Sequence, residues 1–257
     1  MDVATRKIHL GKAGGANVFV EVEEELGVSI ARHIWDAGVV TLCAVAGAIA
    51  EAPFENLKRE CLQEVLQVFM KQGAKNILEL GCGIGVLGIG IAAAAHAYGI
   101  QDVNMLITDV DDAKYRAESN IKRLLQRYPD MESSGSQTIY ENLDWEEGRV
   151  GKFSTEAASR RWDLIILSDC TYNTDTIPAL VETLSAIHKA NFSHEQDSTE
   201  PTTRVFLTTK PRHDSERVFF NMMKDAGWET THTQVLPLPV LGADNQSVEM
   251  YIFAKTN

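Results

Sequence analysis

Cysteine is scarce in this chain, and none of its four residues stands at a C-x-x-C spacing. Cys43, Cys61, Cys82 and Cys170 lie within apolar or glycine-rich segments, the pattern of reduced thiols in an intracellular protein rather than of a disulfide framework. His33, His96, His188 and His213 show no metal-ligand spacing, so no metal is expected. Long apolar runs are missing too: the longest, Val39 to Ala50, is too short to span a bilayer. No charged-then-apolar leader stands at the N-terminus, which sets the expectation of a cytoplasmic or nuclear protein with no membrane contact. Bases are the minority, 24 against 36 acids for a net charge of −12. That sign disfavours a broad contact with nucleic acid and suits a basic protein or a cationic substrate. No internal repeat or linker appears, and 257 residues with 44% hydrophobic content suffice for one α/β domain.

What the chain does have is concentrated in Asn76-Ile-Leu-Glu-Leu-Gly-Cys-Gly-Ile-Gly-Val-Leu-Gly88, an apolar run that breaks into a glycine-rich turn and leads straight into a helix. Ile77, Leu78 and Leu80 read as a buried strand, Gly81, Gly83 and Gly85 permit close approach of backbone to ligand, and Val86 to Ala97 reads as the helix. Gly83 to Gly88 also satisfies the dinucleotide pattern G-x-G-x-x-G. Glu79 tips the reading: an acid two residues before the first glycine repels a pyrophosphate and attracts the ammonium group of S-adenosylmethionine (SAM).

A second strand, Val103 to Asp109, ends on an acid where a ribose is normally gripped, and Asp111 and Asp112 suit the N-terminal dipole of the helix Ala113 to Tyr128. After a third strand, Thr138 to Glu141, the pair Asp144-Trp145 falls at the same sheet edge, where it would frame an adenine. A fourth strand, Leu164 to Leu167, runs out into Ser168, Asp169 and Tyr172 over the ligand crevice.

The rest is placed by periodicity. Val18 to Val22 reads as a short strand or extended lead-in, and Ile34 to Ile49 as a buried helix with Trp35 near its start. Leu57, Cys61, Val65 and Phe69 recur every four residues on a covering helix. A helix from about Pro178 to Lys189 is followed by strands Val205 to Thr209, Glu229 to Val235 and Val248 to Ala254, with a helix Ser215 to Ala226 capped by Gly227. Leu241 to Ser247 reads as a hairpin turn, and Pro129 to Gln137 and Asn191 to Pro201 as long loops. The expected fold is α/β: a Rossmann-like, doubly wound, seven-stranded sheet, mostly parallel, with an antiparallel C-terminal hairpin.

Taken together, Glu79-Leu-Gly-Cys-Gly-Ile-Gly85, Asp109, Asp144-Trp145 and Asp169-Cys-Thr-Tyr172 resemble a seven-β-strand SAM-dependent methyltransferase. The D-x-x-Y after the fourth strand is similar to the hallmark of the protein lysine methyltransferases called methyltransferase family 16. His33-Ile-Trp-Asp-Ala-Gly-Val-Val40 resembles that family's Trp-Asp/Asn-Ala/Gly element, whose tryptophan lies against the cofactor, and Lys210-Pro-Arg-His213 is also similar to family members. The resemblance runs from about residue 18 to 255. It implies a single methyltransferase domain over 1–257, with an N-terminal extension and covering helices over 1–72 and a SAM-binding core over 73–257. The cofactor contacts it implies are Trp35, Glu79, Gly81, Gly83, Gly85, Asp109, Val110, Asp144, Trp145 and Ser168, and the catalytic pair is Asp169 and Tyr172. Ser168 and Cys170-Thr171 depart from the usual fillings at their positions, which leaves substrate choice open.

A lysine amine with a reference pKa of about 10.4 must lose its proton before it can accept a methyl group. Asp169 would hold the incoming ammonium and Tyr172 would orient it or touch the cofactor. The leading expectation is a protein lysine methyltransferase whose substrate exposes a lysine. A small-molecule N-methyltransferase and a non-catalytic SAM-binding partner in a complex are the alternatives. A dinucleotide oxidoreductase is disfavoured by Glu79.

Overall fold

A computed structural model of the protein describes residues 3–27, 29–50, 60–153, 155–193, 203–212, 214–237 and 247–255. The chain opens with an antiparallel hairpin, β1 (Val3–Ala13) and β2 (Ala16–Glu25), joined by Gly14 and Gly15, both in the left-handed region that a two-residue hairpin turn demands. Sequence reading recovers only the middle of β2. In β1 the inward-facing Ile8 and Leu10 alternate with Lys7, His9 and Gly11, too short an apolar signal to stand out.

Helices α1 (Asp36–Ile49) and α2 (Glu60–Met70) follow, then β3 (Lys75–Leu80), α3 (Val86–Ala97), β4 (Val103–Asp109), α4 (Asp111–Arg127) and β5 (Gln137–Asn142). Two short helices, α5 (Trp145–Gly148) and α6 (Thr155–Ser159), precede β6 (Leu164–Ser168), α7 (Ile177–Ser193), β7 (Thr203–Thr209), α8 (Val218–Asp225), β8 (Glu229–Pro237) and β9 (Ser247–Lys255). The expected helix over 215–226 begins instead as a 3-10 turn, Asp214–Arg217, and the helix after Pro178 reaches farther than Lys189. Leu57 and the turn expected at 241–246 lie outside the described residues.

Strands β5-β4-β3-β6-β7-β9-β8 form one seven-stranded sheet, parallel from β5 to β7, with β9 antiparallel to both β7 and β8. Its central strands β3, β4, β6 and β7 are buried on both faces, as a sheet covered by helices on both sides requires. Ile77, Ile107, Ile166 and Phe206 face the cluster that includes α3 residues, while Leu78, Leu106, Ile165 and Leu207 face the one containing α7 and α8 residues. Strand order reverses between β3 and β6, so the loops leaving their carboxyl ends part and leave a crevice. No helix among the described residues is long and apolar enough to cross a membrane.

The hairpin is fastened to the core by charge. Glu23 pairs with Arg116 and Arg123 of α4, and Glu25 pairs with Arg116 and with Arg32 at 2.8 Å. Glu24 accepts from Arg6 Nε at 2.6 Å and from the Ile34 N–H at 3.2 Å, and lies 2.7 Å from His33 Nδ1. Glu24 and Glu25 are buried, and the Arg116 and Arg32 guanidinium groups hold the Glu25 carboxyl below the usual range. Fully buried Asn120 completes the joint, accepting from the Glu23 N–H and donating to the carbonyls of Glu23 and Ile84. The result is a strap, residues 29–35, drawn over the carboxyl edge of the sheet. Arg32 pins it to α4 through the side chain and carbonyl of Asp112.

Candidate active site

A cavity of about 450 Å³ runs along that edge from the end of β5 to the end of β7, a size ordinary for a cofactor-sized ligand. Every site residue expected from the sequence lines it except Gly85. Gly85 is the left-handed residue before α3, and a Cβ there would meet Ile89 at 2.7 Å and Ile107 at 2.8 Å; it seats the helix on the sheet. Gly81 is wedged between the Trp145 indole and Cys170 Sγ, 3.2 and 2.6 Å from where a Cβ would stand. Gly83 has φ +54, and its Cβ would come 3.1 Å from the Ala31 carbonyl of the strap. A Gly83→Ala substitution is expected to cost about 1–2 kcal/mol for the left-handed conformation alone, and so to lower the melting temperature by roughly 3–6 °C. A melting curve within 1 °C of the parent's would contradict that contact.

Two carboxylates sit beneath the loop. Glu79, only 2% exposed, accepts the Gly88 N–H at 3.0 Å and thereby caps α3 from the preceding strand. Burial, with a smaller contribution from the charge of Asp109, pushes its carboxyl up to about 8. Asp109 accepts the N–H groups of Gly83 and Val110, each at 2.7 Å, one on each oxygen; each oxygen keeps a second lone pair. Its carboxyl is also raised by burial. Tyr140 donates to the carbonyls of Asp109 and Val110, fixing the turn that carries both. Cys82 and Cys170 are pushed well up by burial and remain protonated thiols.

At the β5 end, Asp144 caps α5 by accepting the Glu146 N–H at 2.9 Å, and Trp145 lies behind Gly81. Ser168, at the end of β6, carries a buried Oγ with no hydrogen-bond partner among the described residues, on the cavity wall. At the β6–β7 end Trp35 and Tyr172, 40% and 50% exposed, stand at the opening. Trp35 caps α1 and is held by its indole N–H on the Ile30 carbonyl at 3.0 Å. Burial raises the Tyr172 hydroxyl above its ordinary pKa, so it stays a donor at neutral pH.

The structure adds one residue that sequence reasoning gave no role. Arg212 grips the buried Asp169 in a two-pronged pair, Nη1 to Oδ1 at 3.1 Å and Nη2 to Oδ2 at 2.7 Å, and Oδ1 also accepts the Lys210 N–H at 3.0 Å. The Asp169 carboxylate is thus charge-paired within the protein, and an incoming ammonium would meet an ion pair rather than a free acid. The sequence signals for Arg212 are its place just past the carboxyl end of β7 and the likeness of Lys210-Pro-Arg-His213 to family members, neither of which names its partner.

The donor set suits SAM: carboxylates where a cationic, phosphate-free ligand needs them, a left-handed glycine cradle, and an orphan hydroxyl on the wall. A doubly wound sheet of this order, ending in an antiparallel hairpin and carrying acids beside its glycine loop, is the build of the class I SAM-dependent methyltransferases. The chain belongs to the lysine methyltransferase family, whose pattern it matches over residues 16–226. It is 31% identical over 206 residues, 80% of its own length, to a UPF0665 family protein of Schizosaccharomyces pombe, of which it covers 49%. It is 26% identical over 170 residues, 64% of its length, to calmodulin-lysine N-methyltransferase of Arabidopsis thaliana, of which it covers 48%. The chain therefore spans about half the length of these curated relatives. A solved class I SAM-dependent methyltransferase structure from Listeria monocytogenes shares the fold at a TM-score of 0.51 and 13% identity, covering 90% of this chain and 64% of that one.

Proposed function

We propose that the protein transfers a methyl group from SAM to the side-chain amine of a lysine in a protein substrate. The observation that carries this reading is the cavity's outer end, where the half-exposed rings of Trp35 and Tyr172 stand beside an otherwise buried site. An aliphatic chain tipped with an amine is the shape that passes between two such rings when presented from a folded surface. Kinship with a family named for lysine methylation and the net charge of −12 agree with a lysine-bearing protein as acceptor.

In this reading Glu79 faces the ammonium of the cofactor, Asp109 accepts from the ribose hydroxyls, and Val110, Asp144 and Trp145 border the adenine. Gly81 and Gly83 let the backbone close on the ligand, Ser168 Oγ takes a partner from it, and Trp35 packs against it. The cofactor supplies an electrophilic methyl on sulfur. The protein's task is then geometric: align the amine, exclude water and keep the amine neutral. Tyr172 is placed to accept or donate a hydrogen bond to the amine, and the ion pair of Asp169 with Arg212 walls the acceptor end.

The test is to titrate the protein with SAM by calorimetry, then incubate it with methyl-labelled SAM and an extract of its own cells. A discrete labelled protein band whose label resides on lysine is the expected result. Label confined to small molecules would replace the proposed acceptor with a metabolite amine. SAM binding without transfer to any acceptor would make the chain a binding module.

A further inference from the structure

The acceptor end of the cavity holds an acid that cannot act as a free acid. Asp169 lies at the end of β6 with φ +57, and its N–H donates to the Thr208 carbonyl of β7 at 2.8 Å. Its carboxylate is thereby turned toward the chain leaving β7, where Lys210 N–H and both terminal nitrogens of Arg212 occupy it. The guanidinium is also held against an aromatic face, its centre 5.3 Å from the centroid of the Trp35 ring, while the backbone N–H of Arg212 donates to the Glu216 carboxylate at 3.1 Å and fixes the chain that carries it. The neighbouring cation, Lys210, is likewise taken by Asp36 at 2.7 Å. At the opening Asp169 is paired with Arg212 and Asp36 with Lys210, the buried Glu216 accepts the backbone N–H of Arg212, and the pair that lines the cavity with Tyr172 is Asp169 with Arg212.

A free carboxylate at this point would bind a lysine as its ammonium and hold the proton on the atom that must attack. A carboxylate already cancelled by a guanidinium gives the ammonium no such gain, and the positive fork beside it disfavours a second cation. We infer that Arg212 is a positioning residue that cancels Asp169, so that the acceptor end of the site selects the neutral amine over the ammonium. The proton is shed to water as the lysine leaves solvent, the lone pair faces the methyl carbon, and no side chain has to take the proton as a base. This rests on the methyltransferase reading above and names how its acceptor end is tuned.

The probe is a pair of cofactor analogues that needs no knowledge of the acceptor: S-adenosylhomocysteine, a neutral thioether, and sinefungin, in which a carbon bearing an ammonium replaces the sulfonium and sets a cation where the methyl would stand. Calorimetry at pH 7 on the parent should show sinefungin bound no more tightly than S-adenosylhomocysteine, with the affinity of sinefungin relative to S-adenosylhomocysteine rising as pH rises and its extra amine becomes neutral. In Arg212→Gln, which uncovers Asp169, sinefungin should gain about tenfold while S-adenosylhomocysteine changes less than about threefold. Asp169→Asn, which keeps the side-chain shape and tolerates the left-handed backbone, should move sinefungin the opposite way by a similar factor, and stands in if Arg212→Gln does not fold. Arg212→Lys, which restores the charge, should return the parent's ratio. Sinefungin bound tenfold more tightly than S-adenosylhomocysteine by the parent, or a ratio unmoved in both Arg212→Gln and Asp169→Asn, overturns the inference alone. Failure of the parent to bind either analogue overturns the cofactor reading and this inference with it.

Discussion

Asp169→Ala should lower methyl transfer by two to three orders of magnitude while moving the dissociation constant for S-adenosylhomocysteine by less than about threefold. The acid's hydrogen bonds run to Lys210 and Arg212 past the end of β7 and none to Glu79 or Asp109, so its loss should fall on the reacting amine more than on cofactor affinity. Removing it releases the Arg212 guanidinium and the Lys210 N–H together, and the ring of Trp35 loses the cation held against it. A misplacement of the order of 1 Å at the attacking atom is enough for a hundredfold loss. Alanine also fits poorly at φ +57, so Asp169→Asn is the necessary companion. The amide keeps the backbone conformation and one acceptor for Arg212, and its loss of turnover should be about tenfold. Equal turnover in the alanine variant and the parent, measured with labelled SAM on the extract's acceptor, would remove Asp169 from the site.

Glu79→Gln should weaken SAM binding by roughly ten- to a hundredfold and erase its pH dependence. In the parent, burial raises the Glu79 carboxyl to about 8, well above its value of 4.5 in an unfolded chain. Between those values the folded protein holds a proton that the unfolded chain gives up. The stability contributed by this group is therefore complete below pH 4.5 and declines as pH rises through about 8. A cationic ligand inverts the balance, because it favours the carboxylate. SAM affinity should then rise toward pH 8, by at most about tenfold per unit, and level off above it, with nearly one proton released per ligand at pH 7. Calorimetry in two buffers of different ionisation enthalpy counts that proton. Glutamine keeps an acceptor for the Gly88 N–H and carries no charge, so the ligand-free variant should melt a few degrees higher than the parent at pH 8. A glutamine variant with the parent's affinity and pH slope would take Glu79 off the cofactor.

The residues that could be read from sequence share one property: their chemistry is set by neighbours within a few positions. The glycine loop, the strand-end acid Asp109 and the apolar runs of β3, β4 and β6 carry local signals of period and conformation. Glu79 was legible as an acid near the loop, though not as the cap of α3, a bond that joins it to Gly88 nine residues on. Asp144 was read as a ligand-facing group, and it also starts α5, a helix of four residues too short to leave a period. The run Glu23-Glu24-Glu25 looks like a solvated face until Arg116, Arg123, Arg32 and Arg6 are brought to it from elsewhere in the chain. Arg212 was hidden for the same reason: its partner lies 43 positions away, and nothing local marks a guanidinium that will meet a left-handed aspartate.

The distance in sequence between those glutamates and their arginines sets an order of assembly during synthesis. The β1–β2 hairpin closes through a two-residue turn and can pair as soon as both strands have emerged. Glu24 has Arg6 within the hairpin and Glu25 meets Arg32 soon after, but Glu23 must wait for Arg116, which follows it by 93 positions. At translation rates of about 5–20 residues per second that interval is roughly 5–20 s, during which Glu23 stands without either of its α4 partners and Glu25 with only one of its two arginines. The strap over the cofactor cavity can be drawn tight only after α4 has formed. A nascent chain halted before Arg116 would expose an unpaired Glu23 and a loosely held strap, and the translating cell would see a client for its chaperones long before it saw a finished fold.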